Sequence, residues 1–258
     1  MFTPNQLSFH RLTAGLVLAA LISAHSAYAA SAKTVDIRVS GGNSFQQRND
    51  VQTPNTEMGT RFSLADTVGK GSVIAKRIQL KWQFKERHGL RVLLAPLSYT
   101  ESIEFEQPVL FAGESFLANE PLDATYKFNS WRIGYYYSLI QKEKFSLDVG
   151  GTLKVRDAEI SLKQGNNTSD KEDLGFVPLL YVAGKYSLSE RWSIGADLDG
   201  LAGGPGRAID LGLTLDYALG NSWALGFDLR VLDGGADVEE VYNFALFNSA
   251  SVALNFAF

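Results

Sequence analysis

Asn248-Ser249-Ala250-Ser251-Val252-Ala253-Leu254-Asn255-Phe256-Ala257-Phe258 is the stretch whose reading decides the fold. In an extended chain successive side chains point to opposite faces. Val252, Leu254, Phe256 and Phe258 then share one face, and Ser249, Ser251, Ala253, Asn255 and Ala257 the other. One face is apolar and aromatic, the other small and polar. Turned to water, a terminal Phe-x-Phe face stays unsatisfied; turned to hydrocarbon, it does not. A period-two apolar face is what a strand needs to line a bilayer on one side and a polar interior on the other.

Working back from that end, the same dyad recurs. Trp223, Leu225, Phe227, Leu229 and Val231 oppose Ala224, Gly226, Asp228 and Arg230; Ile209, Leu211, Leu213, Leu215 and Tyr217 oppose Asp210, Gly212, Thr214 and Asp216. Trp192, Ile194, Ala196 and Leu198 oppose Ser193, Gly195, Asp197 and Asp199, and Leu180 to Leu188 alternate with Tyr181, Ala183, Lys185 and Ser187. Phe145 to Val155, Trp131 to Leu139, Leu90 to Leu94, Ile74 to Phe84 and Val35 to Val39 complete a reading of about ten strands, with eight and twelve as alternatives. An extra hairpin around Arg61-Phe62-Ser63-Leu64 would account for the larger number. Past Arg156-Asp157 the apolar positions become Ala158, Ile160 and Leu162, which predicts a β-bulge there. Short turns fall near residues 87, 142, 190 and 221. Longer or glycine-rich connections fall at 41–71, 103–124, 163–173, 203–206 and 233–243, with 163–173 read as a mobile hydrophilic loop.

The first residues carry a different message. His10 and Arg11 precede the apolar run Leu12 to Ile22, and Ala27-Tyr28-Ala29 forms a small-residue cleavage site. Residues 1–29 therefore read as a secretory signal peptide, cut after Ala29, with residues 30–258 as a single domain. The run is shorter than the roughly 20 residues of a spanning helix. Without Arg11 the chain has 23 basic and 28 acidic side chains, and no Cys. That balance argues against nucleic acid as a partner, and the missing Cys exclude a disulfide framework and thiolate metal sites.

Trp82, Phe84, Tyr135, Tyr137, Phe145, Tyr186, Trp192, Tyr217, Trp223, Phe256 and Phe258 all lie on the apolar face, near a short turn or the chain end. Closed into a barrel they form one aromatic girdle at one membrane interface. The fold class is thus an all-β, antiparallel, up-and-down transmembrane β-barrel. With the signal, the dyads, the girdle and the terminal Phe, residues 33–258 resemble the small outer-membrane β-barrels of Gram-negative bacteria. Stretches such as Val155-Arg156-Asp157-Ala158-Glu159-Ile160 and Glu240-Val241-Tyr242-Asn243-Phe244 are similar to an uncharacterised family among them. The resemblance implies an outer-membrane location and a closing strand read by the barrel assembly machinery. It also implies contact with membrane lipid and lipopolysaccharide. It implies no activity.

The polar face supplies the candidate site. Arg77, Lys81, Arg91, Arg132, Lys154, Arg156 and Lys185 fall on strands two to six, and Asp197, Asp199, Asp210, Asp216 and Asp228 on strands seven to nine. The lumen is expected to be basic on one wall and acidic on the other. Buried charges demand partners, so the first reading is a salt-bridged interior in a structural or surface barrel. The alternative is a narrow, porin-like channel or transporter for a small charged or amphipathic solute, with Val109-Leu110-Phe111 and Phe116-Leu117 as its apolar entrance. A barrel hydrolase is the third reading. After residue 29 the only His is His88, placed in a short periplasmic turn with no fixed partner, so no catalytic residue is assigned. No cofactor or metal is expected.

Overall fold

A computed structural model describes residues 34–67 and 71–258; the signal-peptide reading of residues 1–29 lies outside the described residues. The elements run β1 Val35–Gln52, β2 Phe62–Ser63, α1 Leu64–Thr67, β3 Ser72–Lys85, β4 His88–Ala95, β5 Ser98–Ile103, β6 Val109–Phe111 and β7 Glu114–Phe116. Then follow β8 Leu122–Gln141, β9 Phe145–Gln164, β10 Asn167–Ser187, β11 Trp192–Gly203, β12 Gly206–Ala218, β13 Trp223–Val238 and β14 Val241–Ala257. Ten of these make the barrel wall, in the order β1-β3-β4-β8-β9-β10-β11-β12-β13-β14, all neighbours antiparallel. β14 closes on β1 in a ladder from Asp36↔Ala257 to Gln52↔Tyr242. Val35 and Phe258 complete it with reciprocal backbone bonds of 2.8 and 2.9 Å. The terminal strand therefore closes the wall on β1, as the opening stretch of sequence predicts.

The surface is inverted relative to a water-soluble protein. Val252, Leu180, Ile133 and Leu213 are 64%, 65%, 55% and 52% exposed, whereas Arg91 and Asp199 are 1% and 0% exposed. Outward positions are the apolar members of each dyad, and inward positions the polar ones. Strands β8, β9 and β10 have 20, 20 and 21 residues, although a tilted strand crosses a bilayer in about 9–11. They overrun the apolar belt at the end away from the termini.

That overrun corrects several loop readings. Residues 163–173 form no mobile loop: β9 and β10 pair through them from Asn167↔Gln164 onward, joined by two residues. β1 likewise runs to Gln52, and β13 and β14 pair up to Val238↔Val241. The β-bulge at Arg156-Asp157 is absent, since β9 keeps unbroken register there with both β8 and β10. Ala158, Ile160 and Leu162 share the inward face with Lys154 and Arg156. What changes is the chemistry of the interior, not the parity.

The interior becomes apolar because the two long connections fold into it. Phe62, Leu64, Phe105, Val109, Phe111 and Phe116 pack against Val51, Tyr126, Ile160, Leu162 and Phe247. Phe62 meets Phe105 and Phe111 edge-on, with ring centroids 5.2 and 5.9 Å apart. The segment around Arg61–Leu64 thus supplies β2 and α1 to this plug rather than another barrel hairpin. Of the expected apolar entrance, Val109, Phe111 and Phe116 are buried within the plug, whereas Leu110 and Leu117 are 45% and 53% exposed.

The wall has two interruptions. β10 pairs with β11 only from Leu180↔Gly200 toward the turns; Asn167–Leu179 have ladder partners on β9 alone. Pro178, which lacks a backbone donor, lies just beyond that break. β3 pairs with β4 no further than Ile78↔Leu94, and β5 continues on β8 without joining β3.

Candidate functional site

A layer of ion pairs crosses the lumen at mid-height. Asp199 on β11 and Asp210 on β12 are register partners, so two carboxylates face inward side by side. Arg91 on β4 grips Asp199 through two bonds of 2.8 Å, and Arg132 on β8 bridges Asp199 at 2.7 Å and Asp210 at 2.6 Å. Arg77 reaches Asp210 at 3.2 Å, and Thr152 donates to Asp199 at 2.8 Å. Arg230 joins Asp197 at 2.6 Å and also pairs with Asp210. Side-chain exposure falls to 0–4% at Arg91, Arg132, Asp199 and Asp210. Such burial is tolerated because Asp199 and Asp210 each lie between two or more guanidiniums, and a bidentate fork such as that of Arg91 matches carboxylate geometry.

Toward the termini a second group of pairs forms. Arg38 holds Asp216 at 2.8 Å and also Asp228; Lys81 reaches Asp148 at 3.2 Å and lies over the rings of Tyr136 and Tyr181. Arg38, Asp216, Lys81, Asp148 and the two tyrosines line a 290 Å³ cavity at the turn end. Lys185 lines the same cavity but is exposed and forms no ion pair with a described residue, so it belongs to the mouth, not to the layer.

The expected division into a basic and an acidic wall is only partly present. Arg230 and Arg38 sit on β13 and β1, against the aspartates, and Asp148 sits on β9 among the cations. All three occupy inward dyad positions, so the strand pattern itself contained the signal. Charge is balanced by pairs that reach across the narrow lumen, which costs less in a low-dielectric interior than leaving two charged walls apart.

Above the layer lies a larger cavity of 700 Å³, lined by Tyr126, Phe128, Leu201, Leu232 and Phe247 and reaching the β11–β12 and β13–β14 turns. Lys154 lines it. The residue is 2% exposed, and its ammonium sits 4.4 Å from the centroid of the Phe128 ring. It forms no hydrogen bond or ion pair with any described residue. Arg156, also on this cavity, pairs with Asp173.

The girdle residues come together on the outer face. Trp82 meets Phe84 at 5.7 Å, Trp192 meets Tyr217 at 4.9 Å, and Trp223, Phe256 and Phe258 form a continuous run. Tyr135 and Tyr137 flank His88. His88 is therefore not a solvated turn residue. It opens β4, bonds the Tyr135 hydroxyl and packs between girdle rings, outside the lumen.

A closed antiparallel barrel with an apolar outer belt, an aromatic girdle and an ion-paired interior is a transmembrane barrel of the outer-membrane type. No protein-family model matches the chain, and no curated protein does. Among solved structures it is similar to the outer membrane protease OmpT from Escherichia coli, with a TM-score of 0.48 and 8% identity over 90% of this chain and 99% of that one. The translocator domain of the autotransporter NalP from Neisseria meningitidis gives 0.43 and 11% identity over 88% and 89%. Ail, the attachment invasion locus protein of Yersinia pestis, gives 0.38 and 11% over 87% and 99%. The class rests on the closed ladder and inverted surface of this chain, not on these likenesses.

Proposed function

We propose that the protein is a resident outer-membrane barrel whose lumen is closed at mid-height and whose function is exerted at its outer end. In this reading the short turns and both termini are periplasmic, residues 1–29 are the cleaved leader, and the closing strand is offered to the assembly machinery. Lipopolysaccharide contacts the upper belt. The observation that carries the closure is the Arg91–Asp199–Arg132–Asp210 layer, whose side chains are all but excluded from solvent. Each charge is fixed by at least two partners, so passing an ion would require breaking several charge-assisted bonds at once.

Planar-bilayer recording of the refolded barrel tests this, with Arg132→Ala and Asp210→Ala alongside. A silent wild type with both variants less heat-stable is the expected result. Steady ion-selective openings, shifted in opposite directions by the two substitutions, would replace it with the reading of a narrow conduit.

A further inference from the structure

The break between β10 and β11 and the buried Lys154 belong to one cavity. The ladder stops at Leu180↔Gly200. Val177 beyond the break on β10, and Leu201, Ala202 and Gly203 beyond it on β11, all line the 700 Å³ space that also contains Lys154. The outward neighbours of the break, Leu174, Phe176 and Leu180, are 72%, 68% and 65% exposed, so the break lies within the apolar belt. In hydrocarbon an open strand edge is tolerated only where it is buried in protein or lines a cavity. Six residues separate Leu180↔Gly200 from Tyr186↔Ile194 at the girdle, a rise of about 15 Å for a strand tilted by roughly 45°. The opening therefore occupies the half of the belt away from the termini.

We propose that this cavity takes a single-chain amphiphile with a carboxylate head, admitted sideways from the outer leaflet through the β10–β11 opening, its head pairing with Lys154. The apolar lining suits the chain, and the volume is within the range of about 300–1,000 Å³ typical of small-molecule sites. The head must be an anion. Lys154 is a buried ammonium with an aromatic face on one side, and Asp199 and Asp210 below it are saturated by arginines. The other charges on the cavity are Arg156, Lys171, Arg207, Glu159, Asp173, Asp233 and Glu240; Arg156 pairs with Asp173 and Arg207 with Asp233, and none of these carboxylates pairs with Lys154. The site rests on the barrel geometry alone and stands whether or not the lumen below conducts.

The test uses the full barrel in nanodiscs, with empty nanodiscs as the blank. Decanoate carrying a terminal diazirine is the probe and decanol the neutral control. Wild type is expected to retain decanoate saturably and, on illumination, to carry adducts at residues 177–180 and 201–203. Lys154→Met is expected to weaken decanoate retention at least tenfold while leaving decanol unchanged, and Lys154→Arg to keep it. Barrel integrity is read from the heat-dependent gel shift of each variant. Equal retention by Lys154→Met overturns the head-group assignment. Adducts confined to the outer belt, such as Leu213, overturn the lateral route.

Discussion

Asp199 shows how a single residue carries this interior. It accepts from Arg91, Arg132 and Thr152 while lying at 0% exposure. Removing it leaves the Arg91 guanidinium buried with its anion gone and Arg132 with Asp210 alone, and an orphaned charge of that kind costs about 3–5 kcal/mol. Asp199→Ala should therefore lower the urea midpoint of the refolded barrel well beyond Asp233→Ala. Asp233 holds Arg48 and Arg207 toward the outer rim, with side chains 23–36% exposed, and solvated pairs contribute roughly 0–1 kcal/mol. Equal midpoints for the two variants would show that the layer stabilises nothing. Glycine serves the same layer by yielding space. A Cβ at Gly212 would run into the Arg230 guanidinium and the Asp197 carboxylate, so the inward position next to Asp210 must stay bare for the fork to close.

At the scale of the element, strands were legible wherever one face met lipid and the other met charge. Trp223–Val231 and Ile209–Tyr217 alternate without exception, and the barrel order follows from them. Legibility failed where the strands leave the membrane, because both faces then change partners. Ile160 and Leu162 look like outward residues in the sequence, yet they face a plug that no local pattern announces. The plug itself comes from Phe62, Phe111 and Phe116, far apart in the chain and joined only by closure of the barrel. The lumen charges were legible as inward positions, but their pairing was not, since Arg91 and Asp199 are neighbours only across the lumen. Phe111 is fully buried in the plug, and Phe→Ala at such a site costs about 3–5 kcal/mol. Phe111→Ala should open the plug to a glutamate-specific protease at Glu104, Glu106, Glu114 or Glu120 while the barrel keeps its heat-dependent gel shift. Protection equal to wild type would mean that this segment is held by its backbone and not by its rings.

For the molecule as a whole, the ion-paired layer separates two spaces, 700 Å³ toward the outer end and 290 Å³ toward the turns. The plug packs against β1, β8, β9 and β14 and also meets β10 and β13, where Ser169 and Asn167 donate to the Ala112 and Ser115 carbonyls and Leu232 packs on the cluster. In the proposed reading the layer, not the plug, is the seal. Single substitutions leave bulky arginines in place and only orphan them. Replacing Arg91, Arg132, Asp199 and Asp210 together with Ala removes both signs of charge and four large side chains at once. Two charges of each sign are lost; of their outside partners Arg230 keeps Asp197, while Arg77 loses its anion. The fourfold variant should therefore conduct in a planar bilayer, where wild type, Arg132→Ala and Asp210→Ala are silent. Deleting Glu104–Pro121 with the layer intact should leave the barrel silent. Conductance from that deletion would place the seal in the plug, and a silent fourfold variant would show that the walls collapse onto each other when the charges that hold them apart are gone.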